Sequence, residues 1–310
     1  MTALATAPLL GDLADAEGSA ATPGSPGSSA SPASEPAPRR LRRVRLSPTL
    51  LLSSAALLVV VAWAVAPALF SPFSPYAQVA GALQAPSLAH PFGTDSVGRD
   101  QLARVIFGAR ESLLGAALAV SVGLVVGVLL GAVAASLGGV ADAVVMRIVD
   151  VLLAIPGLLL ALTVVVLLGT GTANAALAVG VGSIAGFARL TRSEVVQVRR
   201  TEYVEAAYGS GGTFLSVLFG HILPNSLRPV LALLALQFGG AILALSTLGF
   251  LGYGVTPPDP EWGMIIAQGR NLLGAAWWVT ALPGLVLLVV VLATNRISQV
   301  IGSSASGARR

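Results

Sequence analysis

Five apolar stretches of this chain carry no formal charge, and each is long enough to cross a lipid bilayer. They are residues 46–94, 112–141, 151–188, 229–258 and 271–295. A membrane helix needs about 20 mostly apolar residues. In hydrocarbon, only helices and closed barrels satisfy their own backbone polar groups. The pattern therefore predicts an all-α polytopic membrane protein. Composition agrees: of 310 residues, 55% are hydrophobic and 10% charged, whereas soluble domains carry about 25% charged residues.

Proline and glycine divide these stretches further. In the first, only 48–70 reads as a helix, because Pro72, Pro75, Pro86 and Pro91 follow. The third is too long for one span and is split at Gly169-Thr170-Gly171-Thr172. Six transmembrane helices are predicted, at about 48–70, 113–136, 142–168, 174–191, 229–251 and 276–300. Residues 1–45 read as a disordered tail rich in Ala, Pro, Ser and Gly that ends in a basic cluster, Arg39, Arg40, Arg42, Arg43 and Arg45. Its first residues lack the basic-then-apolar pattern of a cleaved signal peptide. A basic cluster beside a first span stays in the cytoplasm, and it also suits an anionic-lipid anchor. Both termini are then cytoplasmic. Arg189, Arg192, Arg199, Arg200, Arg228, Arg309 and Arg310 fall inside, against Arg99, Arg104, Arg110 and Arg270 outside. The expected organisation is the tail 1–45, a six-helix transmembrane domain 46–301 and a short cytoplasmic tail 302–310.

Several function classes are excluded or disfavoured. There is no cysteine, hence no disulfide or thiol nucleophile, and two histidines leave little for a metal centre. All 18 basic residues are arginine. A Walker A loop needs a lysine, so this chain holds no conventional P-loop. An intramembrane serine protease needs a base at membrane depth, but His90 falls in an outer loop and His221 in a cytoplasmic one. A secondary transporter or channel needs buried charges or a discontinuous ion site, and the spans are nearly charge-free.

Within the spans, Gly123, Gly127 and Gly131 are four apart and share one helix face, which suits close helix packing or a subunit contact. Arg147 and Asp150 are three apart and can pair on one face, as a structural ion pair or as a gating contact. Pro156-Gly157 and Pro283-Gly284 predict kinks. Before the second span runs His90-Pro-Phe-Gly-Thr-Asp-Ser-Val-Gly-Arg-Asp, continuing to Arg104. Here Thr94 or Asp95 caps a predicted short surface helix, with Leu102, Val105 and Ile106 inward and Arg99 and Arg104 exposed.

The polar segment 192–228 is the most informative. It holds Glu205-Ala206-Ala207, three residues, Gly211, ten residues, then Ile222-Leu223-Pro224. The residues predict a short helix, a glycine turn and a second helix ended by proline. A helix lying exposed beneath a bundle suits docking of another protein. Glycines at 209, 211 and 212 each weaken helix by about 1 kcal/mol relative to alanine, so the first helix is expected to end early.

This EAA-type loop resembles the cytoplasmic loop of permease subunits in binding-protein-dependent ABC importers, and the chain resembles the dipeptide/oligopeptide/nickel permeases, C-type subunit. Three more segments carry the resemblance: the outer segment from His90 to Asp100; Met146-Arg147 with Asp150 and Pro156; and Leu248 to Gly252 with Pro257-Pro258, Pro260, Trp262-Gly263 and Gly269-Arg270. Together they span about 48–301. The resemblance implies a type I ABC importer permease fold and no catalytic residue. It implies a cell-membrane location with a second homologous permease, two cytoplasmic ABC ATPase subunits and an extracytoplasmic substrate-binding protein as partners, and no nucleic acid. ATP and magnesium would bind the ATPase subunits, with no cofactor or metal on this chain. Glu205, Ala206, Ala207, Gly211, Ile222, Leu223 and Pro224 would form the ATPase-coupling element. Di- or oligopeptides are the first expectation for the substrate, with nickel or another small solute as the alternative. Path-lining residues are not assigned.

Overall fold

The computed structural model describes residues 48–307, and the expected tail with its arginine cluster lies outside them. Ten α-helices follow in order: α1 (Pro48–Val65), α2 (Gln101–Leu137), α3 (Gly139–Ala154), α4 (Gly157–Leu168), α5 (Thr172–Arg199), α6 (Glu202–Gly209), α7 (Phe214–Val217), α8 (Leu223–Phe250), α9 (Trp262–Gly269) and α10 (Trp278–Gly307). Five of them, α1, α2, α5, α8 and α10, are long and apolar enough to cross a membrane. The expected third span is a broken one: α3 and α4 meet at 96°. Pro156 explains the break. A residue before proline is pushed out of the helical region, and Ile155 accordingly has φ −89° and ψ 128°.

The parallel pair α2 and α5 forms the centre, with α8 against both and α10 against α8. Apolar residues cannot drive this pairing, because lipid is equally apolar; close packing must. Small residues provide it. A Cβ added at Gly127 would lie 2.6 Å from Phe187 Cβ and 2.7 Å from the Ile184 carbonyl oxygen. At Gly123 it would meet Ser183 Cβ at 2.6 Å, and from the opposite side Gly180 would meet the Ala119 carbonyl at 2.8 Å. The glycine face read from the sequence is thus an intramolecular contact. Phe187, Ala116, Ala119 and Val120 are buried around it.

The expected Arg147–Asp150 pair is replaced by pairs between helices. Asp150 accepts from Arg189 at 2.7 Å, Asp142 pairs with Arg192, and Arg147 is exposed. Two arginines reaching over from α5 reposition both carboxylates. Exposed pairs contribute under about 1 kcal/mol, so Arg189–Asp150 registers α3 on α5 more than it holds it there.

The predicted surface helix near Arg104 is also corrected. Residues 101–110 are the first turns of α2 itself, and the cap is Asp100, which accepts from the Ala103 N–H at 2.7 Å. Val105 and Ile106 do face inward, but Arg104 is wholly buried. The second expected kink, at Pro283, leaves α10 unbroken. Proline there cannot donate to the Val279 carbonyl, and that oxygen instead accepts from Gln101 Nε2 at 2.8 Å.

The α2–α5 contact is testable. Gly127→Leu should destabilise the protein by about 1–3 kcal/mol through overpacking. Gly284→Ala, with open space around it, should be neutral or stabilising by up to about 1 kcal/mol. Thermal unfolding in detergent compares the two.

Candidate functional site

The loop between α5 and α8 folds as a small unit against the ends of α2 and α5. Val204 of α6, Val217 of α7, Leu218 and Ile222 are buried with Ala135 at the end of α2 and with Val195 and Val198 of α5. Ala207 packs against the same cluster. Arg199 caps the far end of α2, donating to the Ala135 and Ser136 carbonyls. Carbonyls at a helix C-terminus lack partners within the helix and attract a cation. The loop is therefore fastened to the last turns of both central helices.

The end of α6 is built by its glycines. The Gly212 N–H reaches back to the Ala207 carbonyl at 3.0 Å, and the Gly211 N–H to the Tyr208 carbonyl at 3.0 Å. This six-to-one plus five-to-two pairing is a Schellman end. Gly211 sits at φ +91°, a conformation in which a Cβ is strained. Gly212 has no room either, since a Cβ would lie 2.6 Å from the Ala207 carbonyl oxygen. The helix ends early, as its glycines predict, with a defined stop. Glu202 and Glu205 lie in its first turn, where the helix dipole favours negative charge.

The expected stop at Pro224 is overturned. From α7 the chain passes through one π turn, Leu218–Ile222, straight into α8. The π turn shifts the hydrogen-bond register just before Pro224, with the Leu223 N–H reaching the Leu218 carbonyl, so the missing proline N–H does not end the helix. Asn225 Nδ2 and Ser226 Oγ donate back to the His221 and Ile222 carbonyls at 2.7 and 2.8 Å, closing the joint.

The seven candidate residues divide by role. Ile222 is buried, Ala207 and Leu223 are half-buried, and Glu205, Ala206, Gly211 and Pro224 are exposed. The structure brings Ala207 and Ile222 into one cluster and leaves Glu205 and Ala206 on the open side of α6. Sequence reasoning missed the apolar groups around them: Tyr203, Tyr208, Phe214, Leu215 and Phe219 are all exposed. Aromatic residues in an otherwise polar loop were the available signal, since exposed apolar groups in a cluster mark an interaction surface.

The segment before α2 is self-contained. Asp95 accepts from the Val97 and Arg99 N–H groups at 2.9 and 3.0 Å, from Arg99 Nε at 2.7 Å and from Arg104 Nη1 at 2.9 Å. Thr94 Oγ1 donates to the Gly81 carbonyl and accepts from the Gln84 N–H. His90 Nδ1 lies 2.8 Å from Asp100, the helix cap. Burial by itself would raise the Asp95 carboxyl, but the Arg99 and Val97 hydrogen bonds and the Arg99 charge outweigh it and hold the group below the usual range. Among the described residues no group of three or more acids or histidines could hold a metal ion.

Comparison with known proteins decides the family. Residues 123–305 match the family described as binding-protein-dependent transport system inner membrane component. The chain belongs to this family. Two relatives are named for dipeptides. The di/tripeptide transport system permease protein DppC of Pseudomonas aeruginosa is 43% identical over 203 residues, covering 66% of this chain and 67% of that protein. The dipeptide transport system permease protein DppC of Alkalihalophilus pseudofirmus is 40% identical over 235 residues, covering 74% and 77%. The glutathione transport system permease protein GsiD of Pectobacterium atrosepticum is 40% identical over 212 residues, covering 68% and 70%. An inward-facing structure of the MetNI methionine ABC transporter matches with TM-score 0.51 and 20% identity, over 64% of this chain and 96% of that one. The permease therefore has the type I ABC importer fold and is a multi-pass inner-membrane component.

Two outcomes follow for the permease. The Asp95 pairs should make stability pH-dependent with a definite sign. Because folding depresses this group, its contribution is full above the ordinary aspartate pKa of about 3.9. It is lost as pH falls through the lower folded value. Asp95→Asn should lose about 3 kcal/mol or more at neutral pH and show a flatter acid limb in thermal unfolding. Separately, Gly211→Val should cost about 1–3 kcal/mol of local strain, read as faster hydrogen exchange at the end of α6.

Proposed function

We propose that this chain is the C-type permease of an ATP-driven, binding-protein-dependent peptide importer. The observation that carries the substrate class is the 40–43% identity to permeases named for dipeptides, di/tripeptides and glutathione over about two thirds or more of the chain. In this reading 46–301 is the transmembrane domain, the tail 1–45 and the segment 302–310 are cytoplasmic, and a second permease completes the path. A binding protein delivers peptide from outside, and two ATPase subunits hydrolyse ATP with magnesium. No step of that chemistry falls on this chain.

The exposed side of α6, with Glu205, Ala206, Tyr203 and Tyr208, is the ATPase-docking surface in this proposal. The alanines allow close approach, and Glu205 is placed to meet a basic group. Coupling then follows from how α6 is held. Its buried side packs on Ile222, which leads without interruption into α8, and Arg199 ties the same unit to α2. A displacement of α6 by a closing ATPase dimer is passed to α8 and α2 together. ATP and the loaded binding protein must each favour one of two bundle states, since a ligand moves an equilibrium only by its differential affinity.

The test is the complex with its partners in proteoliposomes. Glu205→Arg should uncouple it, with dipeptide uptake and substrate-stimulated ATP hydrolysis falling ~10-fold or more, the scale of a coupling energy of 1–3 kcal/mol. Uptake and hydrolysis both unchanged would remove α6 from the coupling pathway. Uptake of a nickel chelate in place of dipeptide would reassign the substrate.

A further inference from the structure

Between α4, α5 and α8 runs a groove of about 370 Å³. Its lining includes Gly182 and Ser183 of α5 and Gln237, Gly240, Ala244 and Thr247 of α8. Positions 237, 240, 244 and 247 are spaced three and four apart, so they share one face of α8. The groove therefore lies along the middle of two membrane helices.

Two features set it apart from packing surfaces. First, its glycines are open. At Gly157, Gly182 and Gly240 an added Cβ would meet nothing within 4 Å. On the other side of the same α5 helix, Gly180 is pressed against α2. The open glycines do not serve helix contact; they keep the groove wide. Second, its polar groups have spare capacity. The Gln237 side-chain amide makes no hydrogen bond among the described residues. An unpaired amide facing hydrocarbon costs several kcal/mol, so its position calls for water or a polar solute. Ser183 and Thr247 donate to the Val179 and Leu243 carbonyls of their own helices, which leaves their oxygens able to accept.

We propose that this groove is the chain's half of the translocation path and that Gln237 is its principal contact with a peptide in transit. The occupant rests on the peptide-import reading; the aqueous path does not. An amide offers both a donor and an acceptor, which matches a peptide unit of any sequence. Ser183 and Thr247 add acceptors for N–H groups. No lining residue carries a formal charge, so neither end of a zwitterionic peptide is trapped. Passage requires contacts strong enough to enter and weak enough to leave, and neutral polar groups on a glycine-lined wall meet both demands. Selection by side chain is then left to the binding protein.

The natural absence of cysteine makes the test direct. Gln237→Cys, Gly240→Cys and Thr247→Cys are each assembled with the partner subunits in proteoliposomes and treated with a membrane-impermeant methanethiosulfonate. Leu58→Cys on the exposed side of α1 is the reference, with uptake unchanged. Because thiolate formation needs water, the groove positions should react ~10-fold or more faster than Leu58→Cys. Modification should also arrest dipeptide uptake at those positions only. Three positions on one face guard against a single substitution that disturbs assembly. Groove thiols as inert as Leu58→Cys overturn the proposal and mean that lipid or a helix of the second permease fills the groove. Rapid modification that leaves dipeptide uptake intact overturns it as well. If the unsubstituted complex imports no dipeptide, the peptide reading fails by itself, and thiol reactivity still decides whether the groove is an aqueous path.

Discussion

The rest of this structure depends on the close approach of α2 and α5. In water two apolar helices associate because burial removes apolar surface from solvent. In a bilayer that gain is missing, and contact must come from fit. Glycines at 123, 127 and 131 on one side and at 180 on the other let the two backbones approach until a single Cβ would collide. With α5 fixed in this way, its other features acquire positions. Arg189 and Arg192 register α3, Arg199 caps α2, and the opposite face, with Gly182, opens onto the groove.

The unit around α6 is held by two kinds of interaction of different range. Local backbone chemistry shapes α6: a glycine in the left-handed region, a second glycine with no room for a side chain, and two backward hydrogen bonds. Long-range packing then decides which face of α6 is free, because Val204 is drawn onto Val217 and Ile222. The same cluster makes the unit mechanically continuous with α8. A joint through a π turn keeps the backbone hydrogen-bonded while Pro224 is accommodated. Motion of the exposed face therefore has a path of bonded and packed atoms into the membrane domain.

The segment before α2 is a different case. Its dense polar motif invites a functional reading, but Asp95 and Arg99 engage each other, and Thr94 and Asp100 bond nearby backbone groups. A chain leaving the membrane must satisfy its loop backbone, and this motif does so while closing the start of α2. Arg104 shows why its placement was hard to read. At the polar end of an apolar helix an arginine suggests exposure, yet a carboxylate nine residues earlier holds it inside.

The helical type, the number of membrane spans once α3 and α4 count as one, the break at Pro156, the glycine face of α2 and the early end of α6 were legible in the sequence, because each follows from local rules: length of charge-free runs, proline chemistry, four-residue spacing and helix propensity. Only the tertiary structure decided the rest. It chose Arg189 over Arg147 as the partner of Asp150, merged the surface helix into α2, and continued the chain through Pro224. It also satisfied the Val279 carbonyl with Gln101 and separated the packed glycines from the open ones. Each of these outcomes depends on groups far apart in the chain, and residue type alone does not say which distant partner arrives first or closest.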